Sequence, residues 1–327
     1  MKLRRIVTLT AMLLASAASS NARAYELGYA GWAQKPGLTL GAGTAGTPPP
    51  GIYMFDQFVS YSAHLVGPTA PQVNGAPTQL RTEGAGVGFI IAPGWEFLGA
   101  KYNAVIVQPA ASTSLSAPIN QQLVGMHNTY IVPGELSWKL GDSGFFVKTG
   151  LGMWVPDGTI SGPNGIRSIG NPWWTFQPEF VVSYLKGGWN FTAWVFGEIN
   201  TRNSLTDYRS GDLLHAEFTA AKSFDKWTLG AVGYYVGQVT SDESSPFYKS
   251  AINTRSYDIW AVGARVSYDF GPVVLNVWGL KEVSTHVVGA TPLVGSAQQG
   301  TTVYASLSYK IWSFDAPQAP KAPVIHK

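Results

Sequence analysis

The sequence predicts an all-β protein, a transmembrane antiparallel up-and-down β-barrel of about 12 strands with short periplasmic turns and long extracellular loops. Apolar and polar residues alternate along many segments, and the connections between these segments are short and long by turns. Charged residues form only 13% of the chain, against about 25% in soluble domains. Such a chain, with no apolar run of helical length after its first residues, fits a barrel whose outer face contacts lipid.

The first 24 residues have the layout of a secretory signal peptide. A basic start, an apolar stretch over 6–18 and an A-x-A cleavage site ending at Ala24 follow one another. An N-terminal membrane anchor is the alternative, but a membrane helix needs roughly 20 apolar residues. We therefore expect cleavage after Ala24 and export to the outer membrane of a Gram-negative bacterium.

Cleavage changes the charge balance of the chain. The full sequence has 22 basic and 19 acidic residues, and 1–24 hold four of the basic and none of the acidic ones, so the mature chain carries a net charge of −1. There is no basic patch that would indicate binding to nucleic acid. The chain contains no Cys, which excludes disulfides and thiolate chemistry.

Period-2 alternation identifies the strands, because successive side chains point to opposite faces of a strand. It is clear over 302–312 and 190–200, and it is blurred over 81–92 and 227–239, where glycines or a bulge interrupt it. Most segments have the length with which a tilted strand crosses a bilayer, about 9–11 residues or slightly more. The predicted strands are 52–65, 80–92, 97–108, 125–140, 144–156, 173–185, 188–201, 212–223, 226–240, 256–270, 272–284 and 301–314.

The lengths of the connections distinguish a barrel from a soluble β-sandwich, which is the main alternative fold. Short turns, most with Gly or Pro, alternate with long connections that are rich in Pro, Gly, Ser, Thr and Asn. Outer-membrane barrels have this arrangement, whereas a sandwich has no reason to alternate its loop lengths. The long connections are 66–79, 109–124, 157–172, 202–211, 241–255 and 285–300.

The barrel domain is expected over 51–314, with a segment on either side of it. Residues 25–50 form an N-terminal leader, and two interpretations stay open: a plug inside the barrel or an unstructured leader. Residues 315–327 are Pro-rich and cannot form a strand, so we expect a periplasmic tail. Phe314 then takes the place of the terminal aromatic residue that the barrel-assembly machinery recognises.

We expect the apolar face of each strand to contact lipid. An Arg or Lys side chain on the lipid-facing side destabilises a barrel by about 2–4 kcal/mol at the middle of the bilayer. The mixed face then lines the lumen, although aromatic residues there would also fill a narrow barrel, and a slip of one residue reverses every assignment. The candidates are Phe58, Trp154, Trp194, Phe196, Trp278, Tyr304, Glu135, Lys148, Glu179, Glu198, Glu217 and Arg265. The same register adds Asp56, His64, Lys101, Asp269, Glu282, Lys310 and Trp312.

No motif indicates catalysis, a cofactor or a metal site. The five His residues have no HExxH-like spacing, and neither a GxSxG elbow nor a Walker loop is present. The Gly-rich stretch 84–88 lies in a predicted strand with no helix after it, so it does not indicate a nucleotide site. We therefore expect a protein that is not an enzyme.

A set of short motifs runs in order through nearly the whole mature chain. They are PPGIY at 49–53, YIVPGELSW at 130–138, WTFQP at 174–178, TDYRSG at 206–211, WTLG at 227–230, GYY at 233–235, QVT at 238–240 and YDFGP at 268–272. By these motifs the chain resembles the "putative MetA-pathway of phenol degradation" family, the SphA-like outer-membrane transporter-like proteins. The resemblance implies an outer-membrane barrel associated with the catabolism of aromatic or other hydrophobic compounds, and no catalytic residues.

Together these observations favour passive diffusion of small hydrophobic or aromatic compounds through the barrel. Inward Trp residues suit such cargo better than they suit an open aqueous pore. The alternatives are a structural or adhesive barrel that acts through its long loops, a general small-solute porin, and a soluble secreted β-protein. The expected partners are outer-membrane lipid, the solutes and the barrel-assembly machinery, with no nucleic acid.

Overall fold

The computed structural model describes residues 26, 29, 31–41, 43–162, 168–251, 254–289 and 296–314. The expected signal peptide and C-terminal tail lie outside these residues. Within them, twelve long strands form the architecture: β1 Gly51–Val66, β2 Gln79–Ala92, β3 Ala100–Leu115, β4 Thr129–Lys139, β5 Phe145–Val155, β6 Thr175–Lys186, β7 Trp189–Asn200, β8 Leu213–Phe224, β9 Trp227–Gln238, β10 Thr254–Asp269, β11 Val273–Gly289 and β12 Ala297–Ser313.

Each strand pairs antiparallel with its neighbours in sequence, and the first strand also pairs with the last. Tyr61 of β1 faces Thr82 of β2 on one side and Thr302 of β12 on the other, so the sheet closes on itself. Closure leaves no unpaired edge, which is the requirement for a sheet in lipid. The predicted fold, an all-β antiparallel barrel of twelve strands, is confirmed.

Short and long connections alternate around the barrel, but three strands reach further than the sequence predicts. β3 continues through Pro109 to Leu115, and β11 and β12 extend to Gly289 and Ala297, inside the loops expected at 109–124 and 285–300. Pro109 lacks an N–H donor, yet its carbonyl accepts the His127 N–H at 2.9 Å. The long-loop end of the barrel is therefore taller than predicted at these strands.

A bulge in β4 sets the register of one wall. The pairing with β5 shifts between Ile131 and Glu135, around Pro133 and Gly134. A bulge is a usual place for Pro in a sheet and adds one residue to one strand only. As a result Val132 and Glu135, three residues apart, are both buried on the inner side.

The two faces of the barrel differ as a membrane barrel requires. Large apolar side chains are exposed around the outside, among them Phe191, Phe218, Leu229, Val262 and Leu307. In the part of the chain that the structure describes, no helix is long and apolar enough to cross a membrane.

Residues 31–41 and 43–50, here called the inner segment, lie inside the barrel. At the short-turn end the segment leads into Gly51, the first residue of β1. Further along, Ala45 donates its N–H to Ser183 of β6 at 2.8 Å, and Glu26 reaches Asn203 and Thr206 in a long loop. The described N-terminal residues therefore extend through the lumen from the long loops to the short turns.

Candidate functional site: the lumen and the segment inside it

Two carboxylates on neighbouring strands bind the backbone of the inner segment. Glu198 of β7 accepts the N–H groups of Ala33 at 3.0 Å and Gln34 at 2.8 Å. Glu217 of β8 accepts those of Gly37 at 2.7 Å and Thr39 at 3.3 Å. A carboxylate is a strong acceptor that satisfies two buried N–H groups at once. The inner segment is not part of the sheet and has no neighbouring strand to pair with, so these carboxylates accept the hydrogen bonds of its backbone N–H groups.

Donors on strands β10, β11 and β12 bind carbonyl groups of the same segment. The Nε1 of Trp278 donates to Gly37 at 2.9 Å, and the hydroxyl of Tyr304 donates to Pro36 at 2.6 Å. Arg265 Nη1 donates to Leu40 at 3.3 Å. Gly37 has a φ of +89°, a conformation that glycine adopts without steric cost, and its N–H and carbonyl bind side chains of two different strands, β8 and β11. The segment is thus bound through both its N–H and its carbonyl groups.

Lys35 is the positive charge that this segment carries into the lumen. Its Nζ lies 3.5 Å from Glu282 of β11 and 3.9 Å from the centre of the Tyr61 ring. Cation–π contact strengthens when the cation is desolvated, so the ring supplements the ion pair.

Glu26 anchors the chain at the long-loop end. Its carboxylate accepts hydrogen bonds from Thr206 at 2.6 Å, Asn203 at 2.7 Å and Tyr248 at 2.7 Å. Burial raises the pKa of the Glu26 carboxyl, and these hydrogen bonds counteract only part of the rise. Thr206 belongs to the TDYRSG motif, so part of that motif holds the N-terminal residues.

A cavity of about 900 Å³ remains between the inner segment and the wall, where strands β1 to β4 supply most of the lining and β5 to β7 a smaller part. Its lining extends from Leu65 and Leu115 near the long loops to Tyr53 and Ile90 near the short turns. Most side chains around it are apolar, including Val59, Val105, Val107, Tyr130, Val132 and Trp154.

Glycines keep this side of the lumen wide. Gly84 and Gly86 of β2 lie on the inner face, since they pair with Val59 and Gln57, which line the cavity. A Cβ added at Gly86 would find its nearest atom, the Cα of Pro109, at 3.6 Å. A Cβ at Gly86 would therefore fit at ordinary contact distances, on a wall that lines the cavity.

One polar group of side chains interrupts the apolar lining. Lys148 of β5 lies 3.0 Å from Glu135 of β4 and 4.4 Å from the centre of the Trp194 ring on β7. Glu179 of β6 pairs with Gly150, which also pairs with Glu135. The side chains of Glu135 and Glu179 therefore approach each other on either side of Gly150. Lys148 is the positive charge beside this pair of carboxylates.

The candidates predicted from sequence have the expected orientation with one exception. Eleven of the twelve are on the inner side: Trp154, Trp194, Phe196, Trp278, Tyr304, Glu135, Lys148, Glu179, Glu198, Glu217 and Arg265. Phe58 borders the cavity only because its strand forms part of the wall. Its side chain is 50% exposed on the outer face, because Gln57 and Tyr61 of the same strand point inward. Asp56 and His64 share the face of Phe58, and Trp312 is 61% exposed at the barrel end.

Sequence reasoning missed the residues that form the apolar side of the lumen. Tyr61, Val105, Val107 and Tyr130 line the cavity without having been selected, because an apolar face is expected to contact lipid. The glycines in 81–92 were the available signal, since a run of small residues leaves room inside a wall.

Among the residues described, no group of three or more His, Cys, Asp and Glu side chains is placed to hold a metal ion.

Comparisons with known proteins support the barrel. The profile of the family described as "Putative MetA-pathway of phenol degradation" matches residues 62–288. No curated protein sequence matches the chain. Among solved structures, the COG4313 outer membrane channel from Pseudomonas putida F1 superposes with a TM-score of 0.66 at 8% identity, covering 84% of this chain and 99% of that one.

Two other solved structures are less similar. The translocator domain of the autotransporter NalP from Neisseria meningitidis has a TM-score of 0.45 at 12% identity, with 81% and 90% of the two chains covered. A FadL homologue from Pseudomonas aeruginosa has a TM-score of 0.43 at 8% identity, with 88% and 99% covered.

Proposed function

The chain belongs to the family described as "Putative MetA-pathway of phenol degradation", and from this premise we propose that it is a passive outer-membrane channel for small hydrophobic or aromatic molecules. The observation that carries the proposal is the cavity beside the inner segment. It follows the wall along most of the barrel and is lined mainly by apolar and aromatic side chains. A site of this volume and lining suits a small apolar ligand.

The outer face supports a position in the membrane. Exposed Trp189 and Trp227 lie where β7 and β9 leave short turns, and exposed aliphatic residues follow along the strands. Aromatic girdles of this kind flank the apolar band of outer-membrane barrels.

The inner segment acts in this proposal as a fixed plug that restricts the route. Backbone bonds to Glu198 and Glu217 hold it, so the lumen is reduced to the apolar passage at β1 to β4. A passage with this lining admits apolar solutes in preference to ions and sugars, because desolvating a polar solute without new partners is costly. The proposed activity involves no enzymatic step.

Uptake into vesicles that contain the folded protein tests the proposal. We expect toluene to enter faster than in protein-free vesicles, and a sugar of similar size to stay outside. Entry of both solutes would indicate a general pore, and entry of neither would indicate a structural barrel.

A further inference from the structure

We propose that the outer face of strands β11, β12, β1 and β2 binds the phosphorylated sugar headgroup of a glycolipid in the outer leaflet of the membrane. The proposal concerns the lipid around the barrel and goes beyond the proposed transport through the lumen. It starts from one row of outward side chains that crosses these four strands. In order across the strands, the row is Lys281, Thr301, Ser62 and Arg81.

The strand register places these four residues side by side. Lys281 of β11 pairs with Thr301 of β12, which pairs in turn with Ser62 of β1. Ser62 also pairs with Arg81 of β2, and all four side chains are exposed. Neighbouring strands lie about 4.8 Å apart, so the backbone positions of Lys281 and Arg81 are about 14 Å from each other. Two cations therefore stand on either side of two hydroxyl groups.

The row lies at the height where a barrel meets the headgroups of the outer leaflet. Exposed Trp312, at the short-turn end, pairs with Ile52, and Ser62 follows Ile52 by ten positions along β1. A strand rises about 3.3 Å per residue and is tilted by about 35–45°, so these positions span about 25 Å. The apolar band of an outer-membrane barrel has this height. Ser62 and its row are therefore at its upper boundary, towards the long loops.

The outer surface is apolar below this row and to one side of it. On β10, Val262 pairs with Lys281 and is 55% exposed, so the polar row begins at β11. Four positions closer to the short turns on each strand, the outward row is Val277, Ala305, Phe58 and Ala85. The polar surface is thus local and lies directly above side chains that suit acyl chains.

Arg81 and Lys281 give this surface a net positive charge. Neither side chain makes an ion pair with a described residue. Glu83 lies in the adjoining row towards the short turns, and its carboxylate accepts a hydrogen bond from Ser60 at 3.0 Å. Two cations outweigh this one carboxylate, so the surface is complementary to anionic headgroups.

A glycolipid with a phosphate at each end of its sugar headgroup matches this arrangement. Guanidinium and ammonium groups form charge-assisted hydrogen bonds to phosphate oxygens. Between them, the hydroxyls of Ser62 and Thr301 both donate and accept, as the hydroxyl and amide groups of a sugar require. A phospholipid headgroup with a single phosphate pairs with only one of the two cations, so we expect it to bind more weakly.

Native mass spectrometry of the full protein with defined lipids tests this surface. The unaltered protein and the double variant Arg81→Gln, Lys281→Gln are titrated with bisphosphorylated lipid A, with its dephosphorylated form and with phosphatidylglycerol. We expect the unaltered protein to bind bisphosphorylated lipid A most tightly. The double variant should bind it about tenfold more weakly, as expected for the loss of two cations at a membrane surface.

Three results would overturn the proposal. They are equal binding of the phosphorylated and dephosphorylated lipid, unchanged binding by the double variant, and a dimer of the unaltered protein that the double variant loses. The last result would make this face a contact between two copies of the chain.

Two further variants assign the effect to these cations. Arg81→Lys with Lys281→Arg keeps both charges and should retain most of the affinity, which shows that the substituted barrel still folds. Lys101→Gln with Lys226→Gln removes two exposed cations at the short-turn end and should leave the affinity unchanged. An equal loss in this control would overturn the site. Toluene uptake by the Arg81→Gln, Lys281→Gln variant should stay unchanged, so failure of the lipid site leaves the channel proposal standing.

Discussion

The backbone N–H of Gly37 donates a hydrogen bond of 2.7 Å to Oε1 of Glu217, which joins the inner segment to the wall of the barrel. The two residues are 180 positions apart in the sequence. Both atoms are buried, so the bond is made in a low-dielectric environment where its loss is costly. Glu217 therefore helps to hold the inner segment against the wall.

Removing such a carboxylate should loosen the plug. Glu217→Leu leaves the N–H groups of Gly37 and Thr39 without their acceptor, so we expect a larger and more variable single-channel conductance in planar bilayers. Glu83→Leu, on the exposed outer side, is the control. A conductance identical to that of the unaltered protein would show that Glu217 does not hold the segment.

Gly41 is predicted to be intolerant of any side chain. A Cβ there would overlap the indole of Trp278, and overpacking in a buried site costs about 1–3 kcal/mol. Gly41→Val should lower the thermal stability of the folded protein in detergent. The penalty should shrink in a Trp278→Leu background, because residues in contact are not additive. Equal penalties in both backgrounds would contradict the observed packing.

Lys35 and Glu282 should differ in their importance to stability. Glu282 also accepts hydrogen bonds from Tyr61 at 2.8 Å and Tyr234 at 2.6 Å, so Lys35→Met leaves it with partners. Glu282→Leu instead leaves a buried ammonium without its counter-charge, a loss of about 3–5 kcal/mol. We expect denaturant unfolding to show the larger effect for Glu282→Leu. The reverse order would mean that the ion pair is not the main partner of Lys35.

Docking of the N-terminal residues should strengthen in acid. Burial raises the pKa of Glu26 above its ordinary 4.5, so the docked state binds the proton more tightly than the undocked state. The resulting stabilisation is complete below 4.5 and is lost as the pH rises through the docked pKa.

Comparison with Glu26→Gln isolates this effect from the titration of other groups in the protein. The melting temperature of the unaltered protein, relative to the variant, should rise between pH 7.5 and pH 5. A difference that does not change with pH would refute the role assigned to Glu26.

The sequence predicts features that depend on neighbouring residues better than it predicts contacts between residues far apart in the chain. Alternation over 190–200 is local, and it places Trp194, Phe196 and Glu198 on the inner face as observed. The bonds of the inner segment are not local: Ala33 and Glu198 are 165 residues apart, and no periodicity encodes their contact. The choice between plug and leader could therefore not be made from the sequence.

The error at Phe58 has a specific physical reason. The sequence rule assigns the more polar face to the lumen, which selects Asp56 and Phe58. In β1 the less polar face, with Val59 and Tyr61, points inward because this side of the lumen is the apolar cavity. Because the lumen is apolar beside β1, the more polar face of this strand points outward, opposite to the sequence rule. This strand forms part of the wall along the proposed route.

Transport through a barrel with a larger residue at Gly86 tests the proposed route of the solute along strands β1 to β4. Gly86 lies on the inner face and lines the cavity, so Gly86→Leu adds a large side chain to that wall. Ala85→Leu adds the same side chain at the adjacent position, on the exposed outer face. Uptake of toluene into vesicles is measured for both folded variants. We expect Gly86→Leu to reduce uptake almost to the protein-free rate and Ala85→Leu to leave it unchanged. Undiminished uptake by Gly86→Leu would contradict the proposal that solutes cross along this wall.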